Sequence, residues 1–152
     1  MRENRRVVAA ALALALLPVV SFADSEPDER LQSCCDSRVH GYRNFTRQVL
    51  ASCSRWVEVR YRESISIVNA DKLNACIAGG LRDSRVQLEL ALHGVRRRAG
   101  REALRSYQLS FESALAGVEP TRDEAAAAYD QRQSSLMHLL AHAWTRFELE
   151  EG

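Results

Sequence analysis

The chain has 152 residues, enough for one domain and too few for two ordinary ones. Its 21 basic and 20 acidic side chains nearly cancel, so no global field favours nucleic acid or anionic lipid as a partner. Lys72 is the only lysine among the basic residues, a usage typical of GC-rich bacterial coding sequence.

Residues 1–23 have the order of a cleavable secretory signal. Arg2, Arg5 and Arg6 supply the positive start, and Val7 to Val20 an apolar stretch interrupted by Pro18. Ser21-Phe22-Ala23 supplies the small residues that a signal peptidase reads, which places the cut before Asp24. The apolar run is shorter than the roughly 20 residues of a spanning helix, so no membrane span is expected after cleavage. Removing this segment takes away three arginines and one glutamate, turning the formal +1 into −1 over residues 24–152. The expected location is the periplasm or the medium. Residues 24–30, acidic and containing Pro27, read as a flexible leader, and residues 31–152 as a single helical domain.

All four cysteines, Cys34, Cys35, Cys53 and Cys76, fall early in that domain. An even count in an oxidising compartment predicts two disulfides. Of the three pairings, the one joining neighbours Cys34 and Cys35 is sterically the least favourable. The expectation is therefore that Cys34 and Cys35 bond separately to Cys53 and Cys76, in either order. Zinc is the rival use of cysteine, but there is no CxxC pair and no histidine at ligand spacing beside them.

Beyond the leader, apolar residues recur at three and four, the helical period. Tyr42, Phe45, Val49, Cys53 and Trp56 form one stripe, and Leu73, Ile77, Leu81, Leu88, Ala91 and Val95 a second. A third runs through Leu104, Gln108, Phe111 and Leu115, between Gly100 and Gly117, and a fourth from Tyr129 through Gln133, Leu136, Leu140 and Trp144 to Phe147. Thr121-Arg122-Asp123-Glu124 reads as a capping box opening the last helix, with alanines 125–128 adding propensity. Between the first two stripes, Val57 to Arg62 and Ile65 to Ile67 alternate as strands do. A lone hairpin is only marginally stable, so this stretch is expected to be helix or extended connector. The predicted fold is all-α: an irregular bundle of about four helices, its N-terminal half tied by disulfides, with Trp56 and Trp144 in the core.

Chemistry-bearing patterns are scarce. His138 and His142 stand at zinc-gripping spacing, but Leu139 occupies the place of the general-base Glu and no third ligand accompanies them. They read as polar-face histidines. No serine lies in a G-x-S-x-G elbow, Gly79-Gly80 lacks a phosphate-cradling context, and no CxxCH haem site occurs. No enzyme activity, catalytic residue, metal or cofactor is expected. The one dense basic cluster is Arg96, Arg97, Arg98 and Arg101, with Arg105 a turn further on. Reading Gly100 as a turn puts it at an exposed corner, where helix C-termini favour cations. It can equally serve an acidic protein surface, because guanidinium forks bind carboxylates well.

Two stretches resemble the LprI-like lysozyme-inhibitor family. Leu73-Asn74-Ala75-Cys76, followed by Leu81 and Leu88, keeps a spacing similar to the start of that family's helical core. Met137, Trp144 and Phe147, within Leu140-Ala-His-Ala-Trp-Thr-Arg-Phe-Glu, match its late aromatic-rich helix. The chain departs from the pattern at Ala141, where a Gln is expected, and at Glu148, where an Arg is expected. No cysteine follows Trp144. The resemblance implies a periplasmic helical protein that binds lysozyme-like enzymes and does no chemistry itself. Arg96, Arg97, Arg98 and Arg101 would then be its partner-binding residues. The alternative is a structural or accessory envelope protein, a secretion-system component or immunity partner, without inhibitor activity.

Overall fold

The computed structural model describes residues 36–60 and 64–152. The signal segment, the leader and Cys34 and Cys35 lie outside the described residues. Among the described residues, four helices and one hairpin follow in order: α1 (Ser37–Ser54), β1 (Val57–Arg60), β2 (Ser64–Ile67), α2 (Ala70–Leu92), α3 (Arg98–Ala116) and α4 (Ala126–Glu151). The fold is an all-α bundle. Among the described residues, no helix is long and apolar enough to cross a membrane.

Each early helix starts where its sequence offers a cap. The Asp36 side chain accepts the Arg38 amide at the head of α1, and that of Asn69 accepts the Lys72 amide at the head of α2. The buried stripe of α1 runs Val39, Tyr42, Thr46, Leu50, Cys53, so Phe45 and Val49 flank it rather than form it. In α2 the buried line passes through Leu73, Gly80, Ser84, Leu88 and Ala91. Gly80 permits the close approach: a Cβ there would lie 2.5 Å from Val49 Cγ1 of α1 and 2.9 Å from Leu115 Cδ2 of α3. The α3 stripe of Leu104, Gln108, Phe111 and Leu115 is buried as its spacing predicts. Trp144 and Phe147 of α4 complete an aromatic series with Tyr42 and Tyr107, in which Tyr42–Tyr107 and Tyr107–Trp144 meet edge to face and Trp144–Phe147 is tilted at 48°. The α3–α4 pairing is the most extensive helix contact, followed by α1–α2 and then α2–α3. All four helices contribute to one core, against which Trp56 packs half-buried.

Three expectations are corrected here. First, residues 57–60 and 64–67 form neither helix nor connector but the paired antiparallel strands of a hairpin, with Val57 opposite Ile67 and Val59 opposite Ile65. Its base is closed by the Val68 amide donating to the Trp56 carbonyl at 2.8 Å, and by Lys72 over the Trp56 ring at 4.9 Å. Second, Cys53 and Cys76 bond to each other rather than to Cys34 and Cys35. That bond joins the end of α1 to the first turns of α2, so the hairpin is a closed, covalently fastened excursion and the argument from isolated hairpins does not apply. Third, the capping box forms only in half. Glu124 does accept the Thr121 amide at 3.0 Å, but it also holds Arg132 through two bonds of 2.8 and 2.7 Å. Asp123 takes a left-handed backbone (φ 60°), and the helix begins only at Ala126, without a side-chain cap.

A candidate protein-binding corner

The arginine cluster lies at the turn between α2 and α3. Gly100 is not a turn; it is the buried third residue of α3, and the helix opens at Arg98 with Arg97 as its N-cap. Arg98, Arg101 and Arg105 therefore stand on the first turns of a helix, not the last. This corrects the electrostatic expectation, because a helix N-terminus carries partial positive charge and disfavours cations. Arg97 offers no side-chain cap to compensate.

Compensation comes from the far end of the chain. Glu151, the last residue of α4 and 7% exposed, reaches across to the corner. Its Oε1 accepts the Arg96 amide at 2.7 Å and its Oε2 the Arg97 amide at 3.1 Å. A carboxylate is thus seated on the positive end of α3, where charge and hydrogen bonding act together. Gly100 is required by this arrangement, since a Cβ there would collide with Glu151 Oε2. The other side of the corner is closed by α1: a Cβ on Gly94 would come within 2.7 Å of Asp36 Cβ.

The backbone of the corner is therefore fixed while its side chains face solvent. Arg96, Arg97, Arg98 and Arg101 are all exposed. Arg98 pairs with Glu102 one turn along, at 3.0 Å, and Arg101 Nε donates to the Val95 carbonyl at 3.2 Å. The Arg96 and Arg97 side chains have no ion-pair partner among the described residues. The four sequence-predicted arginines are thus all exposed, two on the turn that leads into α3 and two on its first turns.

Two further clusters were not anticipated from sequence. Beneath the surface, the Tyr42 hydroxyl donates to Gln108 Oε1, while Gln108 Nε2 donates to Ser84 Oγ and Glu112 Oε1, both at 2.9 Å. Arg85 Nε closes the chain on Glu112 at 2.9 Å. Alongside it, the Tyr107 hydroxyl donates to Thr46, whose own proton goes to the Arg43 carbonyl. Bonds from Arg85 and Gln108 hold the Glu112 carboxyl below its ordinary range, and burial keeps both phenols protonated by raising them above theirs. This network ties α1, α2 and α3 together. Every buried side-chain nitrogen and oxygen among the described residues has a partner, as a structural network requires. The second cluster clamps the α3–α4 turn. Arg132 holds Glu124 and also donates to the carbonyls of Gly117 (2.5 Å) and Glu119 (3.2 Å), drawing the Glu124 carboxyl down to about 2.

His138 and His142 are both exposed on α4. Among the described residues, no three His, Cys, Asp or Glu side chains gather as a metal would need. The fold and the corner together define a disulfide-tied helical bundle presenting a rigid basic surface. No protein-family model matches the chain, and neither the curated proteins nor the solved structures gave a match.

Proposed function

We propose that this is an exported cell-envelope protein that binds another protein and does no chemistry itself. Its target is a lysozyme-type muramidase, which it inhibits through the arginine corner. The observation that carries this reading is the placement of Arg96, Arg97, Arg98 and Arg101 at the electrostatically unfavourable end of a helix. Each such exposed cation costs on the order of 0.3–1 kcal/mol, and Glu151 offsets that cost through the Arg96 and Arg97 amides, leaving the Arg96 and Arg97 guanidiniums unpaired among the described residues. Local choices that work against stability mark functional positions.

The chemistry of the target fits this surface. Glycoside hydrolases of this kind work with a pair of carboxylates in an open cleft, and guanidinium forks are the side chains best suited to grip carboxylates. A corner whose backbone is held from both sides loses little freedom on binding. The Cys53–Cys76 bond supports export, since such bonds persist in oxidising compartments. The test is peptidoglycan turnover by a panel of lysozymes titrated with the purified protein. Stoichiometric inhibition of at least one member is expected; no inhibition of any would overturn the reading.

A further inference from the structure

A second surface lies away from the arginine corner. α1 does not pack along α4, and a groove of about 260 Å³ opens between them over Tyr107 of α3. Arg43 and Arg47 form one wall; Met137, Leu140 and Trp144 of α4 line the other. A more open depression of about 460 Å³ continues along α4 past His138 to Gln133, sharing Met137 with the first. The groove itself is just below the lower end of small-molecule clefts, roughly 300–1,000 Å³, which are apolar with a few placed polar groups. The twelve residues from Trp144 back to Gln133 span about 16 Å of helix.

The charge of the groove is specific. Arg43 lies 4.6 Å over the Trp144 ring and 3.6 Å from Glu148 Oε1, the same oxygen that accepts the Trp144 indole at 2.5 Å. Arg47 stands one turn further along α1, exposed, with no ion pair among the described residues. Glu148 thus balances Arg43, and among the described residues Arg47 is left as a single unpaired positive charge beside an apolar channel. Like charges one turn apart disfavour each other on a helix, so a bound anion would relieve their repulsion. Met137, 45% exposed, supplies a flexible apolar surface that adapts to an alkyl chain.

We propose that this groove binds a long-chain carboxylate. The Arg47 guanidinium takes the carboxylate, and the alkyl chain lies over Met137 along α4. One excess charge matches a monoanion rather than a phosphate dianion, and the Arg47 fork can take a planar carboxylate through two parallel hydrogen bonds.

The experiment is calorimetric titration of the purified protein with decanoate below its micellar concentration, beside decyltrimethylammonium and decyl phosphate. Decanoate is expected to bind saturably at one site and decyltrimethylammonium not at all, with decyl phosphate no tighter than decanoate. Arg47→Ser and Met137→Glu, both at exposed positions, are each expected to weaken decanoate at least tenfold with unchanged thermal melts. Absent or unsaturable decanoate binding, equal binding of the cation, tighter binding of decyl phosphate, or full affinity in Arg47→Ser would overturn the proposal. A variant with serine at all four corner arginines should keep decanoate binding, so this site and the corner are judged separately.

Discussion

The α1–α2 and α3–α4 pairs are held together by different chemistry. Between α3 and α4 the contact is mostly apolar and aromatic: Leu104, Tyr107, Phe111 and Leu115 meet Leu140, Trp144 and Phe147, all at most 4% exposed. The α1–α2 pair has a thinner apolar seam, interrupted by the buried polar residues Thr46 and Ser84. It makes up the difference with the Cys53–Cys76 bond, the Gly80 approach and the polar chain through Gln108. The C-terminal pair is thus held chiefly by burial, whereas the N-terminal pair adds a covalent bond that reduction would remove. The arginine corner lies where the two pairs meet, with Gly94 close against Asp36 of one and the Arg96 and Arg97 amides bonded to Glu151 of the other.

The largest effect should come from the apolar side. Trp144→Ala removes a ring that is 1% exposed and stacks against Tyr107 and Phe147, and should cost about 3–5 kcal/mol in urea unfolding. Replacing Cys53 and Cys76 with alanine opens a loop closed across a sequence separation of 23, with an expected cost of about 3 kcal/mol. Hydrogen exchange sharpens the comparison: amides of α1 and α2 should lose more protection than those of α3 and α4. Equal loss across all four helices would mean that the two pairs are one cooperative unit.

Smaller effects are expected at the joins. Glu151→Ala strips the carboxylate from the head of α3 and should cost about 1–2 kcal/mol, as loss of a capping side chain does. Gly100→Ala should reproduce part of that loss despite its better helix propensity, because the new Cβ displaces the same carboxylate. The smallest change is one of pH dependence. The Glu124 carboxyl is drawn from 4.5 to about 2 by Arg132 and the Thr121 amide. A depressed folded-state value contributes stability that is complete above about 4.5 and is lost as pH falls through about 2. Thermal melts of wild type and Glu124→Gln should therefore differ by a constant amount at neutral pH and converge in that acid window. A gap that persists at pH 2 would assign the clamp's effect to something other than the carboxylate charge.

The helices were legible because their apolar residues recur at the helical period over long stretches, α3 most plainly. The hairpin was misjudged because its stability comes from a bond between Cys53 and Cys76 that brackets it, and pairing is not readable from cysteine spacing. The late start of α4 was hidden because Arg132, eight residues beyond Glu124, competes for the carboxylate that the capping box would use. The exposed arginine cluster could be found from composition alone, but its position at a helix start could not. Nor does any local pattern link Glu151 to the amides of Arg96 and Arg97, more than fifty residues earlier. No local pattern marks Arg43 and Arg47, because only the placement of α4 opposite α1 gives them a groove to line.

The most direct test of the central claim compares lysozyme inhibition by wild type and by the variant carrying Arg96→Ser, Arg97→Ser, Arg98→Ser and Arg101→Ser, with circular dichroism confirming an unchanged fold. Wild-type inhibition that weakens at least tenfold in the variant is the expected result. Equal inhibition by the two proteins, or none by either, would contradict it.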